Sequence, residues 1–81
     1  MNVQLSLRAI DQLAAAPLPV QKAFIKQISY LARNITHPSL RAKKYIETDS
    51  LWQARVNQDW RFYFTVRPDV YYVESIVPHP K

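Results

Sequence analysis

Glycine is absent from the 81-residue chain. The loops that wrap phosphate groups in the Walker and dinucleotide-binding motifs depend on glycine, so neither kind of nucleotide site is possible. Tight turns must instead use asparagine, aspartate and proline, which tolerate or preset the backbone angles that turns require. Clusters of these three residue types therefore indicate where helices and strands end.

Cysteine is also absent, and histidine is scarce. Without cysteine the chain can form neither a disulfide framework nor a thiolate metal site. His37 and His79 are the two histidines, and the sequence shows no cluster of carboxylates that could complete a zinc site with them. We therefore expect no metal site and no cofactor.

Long hydrophobic runs are missing too. The longest are far shorter than the roughly 20 residues of a membrane-spanning helix, and the first residues lack a secretory hydrophobic region. The length suits one domain over residues 1–81, because a second domain would have no core of its own. We expect a soluble, cytoplasmic protein that does not enter a membrane.

Acidic residues are few, since six Asp and Glu stand against eleven Lys and Arg, for a formal net charge of +5. Positive charge at this density favours a polyanion or an acidic protein as partner. The alternative is that the charge only keeps a small protein soluble. Clustering favours the first interpretation, because Arg41, Lys43 and Lys44 follow one another closely and Arg55 and Arg61 flank one predicted turn.

The first sixteen residues are compatible with two structures. Val3, Leu5 and Leu7 alternate with polar residues, a pattern that suits a short strand. Ser6 could equally cap a helix from residue 8 to about residue 16. The apolar stripe of that helix would consist of Ile10, Leu13 and Ala14.

A second helix is predicted more clearly. Pro17 stops the first helix, Pro19 is well placed to begin the second, and the second ends near Asn34. Apolar residues recur along it at helical spacing: Val20, Phe24, Ile28, Leu31 and Ile35. The positive charges point elsewhere: Lys22, Lys26 and Arg33.

Three runs rich in β-branched and aromatic residues follow, over 51–56, 60–66 and 70–77. The intervening segments 57–59 and 67–69 supply the asparagine, aspartate and proline of two hairpin turns. Helices that cover one face of such strands give an α+β fold. We predict a helical hairpin packed on a twisted antiparallel sheet of three to four strands.

The register of the first hairpin follows from its side chains. The apolar members of both strands must share the helix-covered face, which is satisfied if Arg55 stands opposite Arg61. These two arginines then lie side by side on the open face, where like charges destabilise the pair unless an anion binds there. The predicted core face consists of Trp52, Ala54, Val56, Trp60, Phe62 and Phe64.

An ordered series of short segments runs through the second half of the chain. It reads His-Pro-Ser-Leu-Arg-Ala-Lys-Lys over 37–44, Leu-Trp-Gln-Ala-Arg-Val-Asn over 51–57, Asp-Trp-Arg-Phe-Tyr-Phe over 59–64 and Pro-His-Pro-Lys over 78–81. This series resembles the RelE/ParE superfamily of toxin–antitoxin systems. Most of the chain is compatible with that superfamily, although the helical half is generic.

The resemblance implies a basic concave sheet face and a cognate acidic antitoxin as partner. Many members cleave messenger RNA on the ribosome, others poison DNA gyrase, and some have no measured activity. The RNA-cleaving members carry basic residues after the second helix, arginines on the central strands, and a His or Tyr near the C-terminus. Here those places hold Lys43 and Lys44, Arg55 and Arg61, and His79. The chain lacks the terminal tyrosine of some members and a clear counterpart of the glutamate base of others.

We therefore predict a toxin that is an mRNA endoribonuclease. The alternatives are a non-enzymatic gyrase inhibitor and an inert antitoxin-binding protein. Metal-independent cleavage uses the 2′-hydroxyl of the RNA as nucleophile and needs stabilised charge and a proton donor. Arg61 would hold the scissile phosphate, Arg55 would be a second phosphate contact, Lys43 would stabilise developing charge and His79 would transfer a proton.

Other residues are predicted to contact the substrate: Arg41, Lys44, Tyr63 and Lys81. Tyr71 or Tyr72 could also stack on a base, because the second turn does not fix which of them faces the arginines. Glu47 and Glu74 are candidates for a carboxylate base. For each of these residues the alternative is an ordinary place in the core or on the surface.

Overall fold

The computed structural model describes residues 1–46 and 50–80. Its elements are β1 (Asn2–Leu5), α1 (Leu7–Ala15), α2 (Leu18–Arg33), one 3₁₀ turn (Pro38–Leu40), β2 (Lys43–Ile46), β3 (Leu51–Arg55), β4 (Trp60–Val66) and β5 (Val70–Pro78). The strands form one sheet in the order β1-β5-β4-β3-β2. Residues of both helices join the hydrophobic core on one face of this sheet.

The α+β class, with two helices on a sheet, is confirmed, but the sheet has five strands and is mixed. The prediction of three to four antiparallel strands did not foresee that β1 runs parallel to β5, and it missed β2, which pairs with β3. The sequence of β2 is Lys-Lys-Tyr-Ile. Charged residues are typical of edge strands, where they discourage pairing with other chains, and they make such a strand hard to distinguish from a loop.

Both interpretations of the first residues apply, to adjacent segments. Residues 2–5 form a strand, and Ser6 then caps α1 by accepting a hydrogen bond from the backbone N–H of Ala9 at 3.0 Å. Of the predicted stripe only Leu13 packs against the core, because Ile10 is 49% exposed and Ala14 is exposed. The face that packs against the core contains Ala9, Leu13 and Ala16, also at helical spacing.

The second helix agrees closely with its prediction. It ends at Arg33, and the backbone N–H of the C-cap Asn34 donates to Tyr30 O at 2.8 Å. Val20, Phe24 and Leu31 are buried, and Ile28 and Ile35 are partly buried against them, although Ile35 lies beyond the helix. The predicted outward residues are exposed: Lys22, Lys26 and Arg33.

A β-bulge between β4 and β5 decides which side chains of β5 reach the core. The register places Tyr63 opposite Ser75 but Phe64 opposite Val73, so one extra residue, Glu74, lies on β5. Val73 and Ile76 are three residues apart and would face opposite sides of a regular strand. The bulge lets both be buried, at 0% and 1% exposure.

The predicted register of the first hairpin is confirmed. Arg55 pairs with Arg61, and Ala54 pairs with Phe62. Phe62 is fully buried and meets Phe24 of α2 edge to face, with ring centroids 5.3 Å apart. Among the described residues, neither helix has the combination of length and apolar character that a bilayer crossing requires.

Candidate functional site

A polar cavity of about 250 Å³ opens near the end of the β3–β4 hairpin. Its lining comes from the turn before β2, from β2, β3 and β4, and from the segment after β5. The polar residues that line it are Arg41, Lys43, Gln53, Arg55, Arg61 and His79. Segments far apart in sequence therefore bring four cations and one imidazole together.

Two of the lining arginines form a pair across neighbouring strands. Arg55 and Arg61 occupy directly opposite positions on β3 and β4, and both are half-buried. Burial and then Arg55 lower the pKa of Arg61; Arg41 lowers it further, whereas Tyr63 and Asp59 raise it. A guanidinium stays protonated at neutral pH despite such a shift. The lowered pKa therefore means that a positive charge is held where burial and, after it, other positive charges oppose it, and a bound anion would offset this.

Arg61 also has a structural role that sequence reasoning missed. Its Nη1 donates to the backbone carbonyls of Asn57 at 2.7 Å, Trp60 at 3.0 Å and Gln58 at 3.2 Å. One side of the planar group thereby holds the β3–β4 turn. A guanidinium carries five N–H donors, and Nη1 supplies two of them. Loss of Arg61 would disturb both the cavity and the turn, so Arg55 is the cleaner probe of the site.

His79 is placed at the cavity by its backbone. Its N–H donates to Asp59 O at 2.7 Å, which ties the segment after β5 to the turn between β3 and β4. The same turn is stabilised by Asn57 Oδ1, which accepts from the N–H groups of Asp59 and Trp60, both at 2.9 Å. The imidazole is exposed and lines the cavity with Arg55 and Arg61.

The two neighbouring lysines face opposite sides of the sheet because they lie on a strand. Lys43 pairs with Gln53 and lines the cavity together with the arginines. Lys44 pairs with Trp52 and lines a different hollow, next to Ile35. The prediction that Lys44 joins the site is not supported by this placement, since successive side chains on a strand alternate.

Arg41, which also lines the cavity, has an unusual backbone conformation. It follows the 3₁₀ turn with φ at 47°, in the left-handed region that non-glycine residues seldom occupy. The turn before it is capped by His37 Nδ1, which accepts from the N–H of Ser39 at 3.1 Å. The His37 ring stacks on Tyr30 with centroids 3.9 Å apart. These contacts fix the segment that carries Arg41.

The tyrosines of the open face lie beside the cavity rather than in it. Tyr63 Oη accepts from Gln53 Nε2 at 3.0 Å, and its ring meets Tyr45 edge to face at 5.2 Å. Both tyrosines line a separate hollow. Tyr72 pairs with Thr65 on the open face, whereas Tyr71 is buried, which decides between the two.

Of the two carboxylate candidates, the described residues include Glu74, which does not line the arginine cavity. Glu74 lines the hollow beside Tyr63, and Thr65 Oγ1 donates to its Oε2 at 3.4 Å. Glu47 and Lys81 lie outside the described residues. Within residues 1–46 and 50–80, no group of three or more His, Cys, Asp or Glu is arranged to hold a metal ion.

A buried glutamine connects the segments that carry two of the three cavity arginines, Arg41 and Arg55. Gln27 Nε2 donates to Arg55 O at 2.8 Å and to Ser39 O at 3.0 Å, and Gln27 Oε1 accepts from Ser39 Oγ at 2.8 Å. Only 4% of this residue is exposed. Sequence reasoning missed it, although a polar residue between Phe24 and Leu31 on the apolar side of α2 was the available signal.

Comparison with known proteins identifies the fold. No protein-family model and no curated protein matches the chain. Among solved structures, the YoeB/ParE toxin from Agrobacterium tumefaciens matches with a TM-score of 0.81 at 14% identity, over 99% of this chain and 100% of that one. The archaeal RelE of the RelE–RelB complex from Pyrococcus horikoshii matches with a TM-score of 0.80 at 18% identity, over 95% and 92%.

The chain has the RelE/ParE toxin fold. A third solved structure, the intact E. coli RelBE toxin–antitoxin complex, matches with a TM-score of 0.72 at 12% identity, over 99% of this chain and 98% of that one. At these identities the likeness is one of fold. The RelE-like fold accounts for the five-stranded sheet and the helix pair, while the chemistry of the cavity must be argued from its own residues.

Proposed function

We propose that this protein is the toxin of a type II toxin–antitoxin system and cleaves messenger RNA in the cytoplasm. The observation that carries the proposal is the convergence of Arg41, Lys43, Arg55, Arg61 and His79 on one cavity. RNA is a polyanion whose backbone is bound chiefly by Lys and Arg. A cluster of cations with an imidazole beside it suits phosphodiester cleavage better than simple surface charge.

The cleavage step uses the 2′-hydroxyl of the RNA. Its oxygen attacks the adjacent phosphorus, the bond from phosphorus to the 5′ oxygen breaks, and the products are a 2′,3′-cyclic phosphate and a 5′-hydroxyl. The 2′ proton passes to water, and the His79 imidazolium gives a proton to the departing 5′ oxygen. Arg55 and Arg61 bind the non-bridging oxygens, and Lys43 stabilises the charge that develops there.

The proposed partner is an acidic antitoxin. Solved neighbours of the same fold include RelB–RelE and YoeB–YefM complexes. The net charge of +5 and the cationic cavity favour an acidic segment as the inhibitor. Such a segment would neutralise the cavity and exclude RNA at the same time.

A second candidate is an inert protein whose cationic face serves only the antitoxin. The position of Glu74, away from the arginines, favours this candidate, because the described cavity then has no carboxylate to remove the 2′ proton. A non-enzymatic gyrase inhibitor is the remaining alternative. Both alternatives predict that the protein leaves RNA intact.

Induced expression in bacteria separates these functions. We expect R55Q and H79A to relieve growth arrest, while R33Q, which removes the same charge from the exposed end of α2, leaves arrest unchanged. Sequencing of RNA ends should show new cleavage sites with the unaltered protein and with R33Q. Arrest without new RNA ends would support gyrase inhibition, and the absence of arrest would support the inert partner.

A further inference from the structure

A second cavity lies beside the first and, unlike the first, is lined in part by residues of α2. Its volume is about 520 Å³. The polar residues that line it are Lys26, Gln27, Ser39, Arg41, Arg55, Asn57 and Gln58. Arg41 and Arg55 line both cavities, so the two are neighbours that share a cationic boundary.

The charge around the two cavities is one-sided. Together they are lined by Lys26, Arg41, Lys43, Arg55 and Arg61, and in the described part of the chain no Asp or Glu lines either of them. Like charges that lie close together repel one another and raise the free energy of the protein without ligand. A ligand with several adjacent negative charges would reduce this repulsion. A single phosphate would occupy only one of the two cavities.

The second cavity has a fixed wall. Gln27, which lines it, holds Ser39 and the end of β3 through hydrogen bonds of 2.8–3.0 Å. The turn that carries Asn57 and Gln58 is held by Arg61. Among the described residues that line this cavity, Lys26 is the one positively charged residue that α2 contributes, and it is exposed. The geometry is therefore prepared before a ligand arrives, which lowers the entropic cost of binding.

We propose that this second cavity is a subsite for the phosphodiester next to the scissile one in single-stranded RNA, with Lys26 as its principal phosphate contact. The proposal rests on the proposed function, because it takes the first cavity as the cleavage site. Arg41 and Arg55 would lie between the two phosphates. Asn57, Gln58 and Ser39 would offer hydrogen bonds to the intervening sugar and base, and contacts to phosphate carry no sequence preference of their own.

The test compares two lysines of the same helix. K26Q removes the proposed contact, and K22Q removes the same charge one turn earlier on α2, at an exposed residue that is not among those lining either cavity. The ligands are single-stranded oligonucleotides with a 2′-deoxy group at the cleavage position, so that they bind without being cut. One is a dinucleotide with a single phosphodiester, and the other is a trinucleotide with two.

We expect K26Q to weaken trinucleotide binding roughly two- to fivefold, the size of one exposed ionic contact, with a smaller effect on the dinucleotide. The slope of log affinity against log salt for the trinucleotide should fall by about 0.7, as for one phosphate contact to a single strand. K22Q should leave both quantities unchanged.

The outcomes distinguish the two proposals. If R55Q weakens oligonucleotide binding but K26Q behaves like K22Q, the second subsite is wrong and the proposed function stands. If the unaltered protein binds neither oligonucleotide, or binds both without any effect of R55Q, the first cavity does not hold RNA on the free protein and the subsite proposal fails with it; cleavage assays with and without ribosomes then decide the proposed function separately. Equal losses on both ligands with K26Q would also overturn the subsite, because Lys26 would then contact the scissile phosphate.

Discussion

The two faces of the sheet share the same strands but carry opposite kinds of side chain. On β4, Phe62 and Phe64 are fully buried under the helices, whereas Arg61 and Tyr63, which alternate with them, lie on the open face. The covered face is stabilised by packing, which needs no ligand. The open face gathers like charges, which lower stability until an anion binds. The comparison shows that alternation along one strand places the residues that stabilise the fold on one face and residues of the candidate site on the other.

The covered face should give the largest effect on stability. F62A removes a fully buried ring that packs edge to face on Phe24. We expect a loss of about 3–5 kcal/mol in the free energy of unfolding, measured by urea denaturation. Y63F, which changes the neighbouring half-buried residue of the open face, should cost far less. Similar losses for both variants would mean that the two faces do not differ as described.

The junction at Gln27 should give an intermediate effect. Q27L leaves Ser39 Oγ and the carbonyls of Ser39 and Arg55 without their side-chain partner. We expect a loss of about 1–3 kcal/mol, the usual cost of unpaired buried polar groups. S39A removes one of these hydrogen bonds and should cost less in the same denaturation series. A Q27L variant as stable as the unaltered protein would show that the junction adds nothing to the support of the cavity.

The open face should respond in the opposite direction. R55Q removes one member of the like-charged pair, so stability should stay the same or rise by up to about 1 kcal/mol. RNA cleavage should fall at least about tenfold, because a charged contact to the scissile phosphate is lost. Thermal unfolding and a cleavage assay on the same preparations measure both. A variant that loses stability and activity together would assign Arg55 a structural role instead.

The smallest effect concerns the pKa of Arg61. Burial and Arg55 lower this pKa, so the folded state binds the proton less tightly than the unfolded state. The resulting loss of stability is fully present at neutral pH and disappears only as pH rises through the lowered pKa. Near neutral pH, added pyrophosphate should therefore raise the melting temperature by roughly 1–2 °C, from a binding stabilisation of about 0.3 kcal/mol. R55Q should show a smaller rise, and an equal rise would place the anion elsewhere.

The sequence predicted the central part of the fold because side-chain alternation is a strong signal on long strands. The pairing of Arg55 with Arg61 and the bounds of β4 followed from it correctly. The edge strand β2 was not predicted, because its charged residues are also typical of loops. The bulge at Glu74 was not predicted, because one inserted residue changes the sequence pattern only in the spacing of Val73 and Ile76.

The candidate site was predicted in its residue types more than in its arrangement. Arg55, Arg61 and His79 were named from the sequence and meet in one cavity. Lys44 was misplaced because the face of a residue cannot be assigned while its segment is taken for a loop. The hydrogen bonds of Arg61 to its own turn, and the junction at Gln27, depend on contacts between distant elements that no local pattern encodes.

The most direct test of the cleavage site is the chemistry of the RNA ends it produces. Purified protein should be incubated with single-stranded RNA, with and without ribosomes, and the products analysed for their terminal groups. The account predicts 2′,3′-cyclic phosphate and 5′-hydroxyl ends, made by the unaltered protein and by R33Q but strongly reduced for R55Q and H79A. Intact RNA under both conditions, or cleavage that persists undiminished in R55Q and H79A, would contradict it.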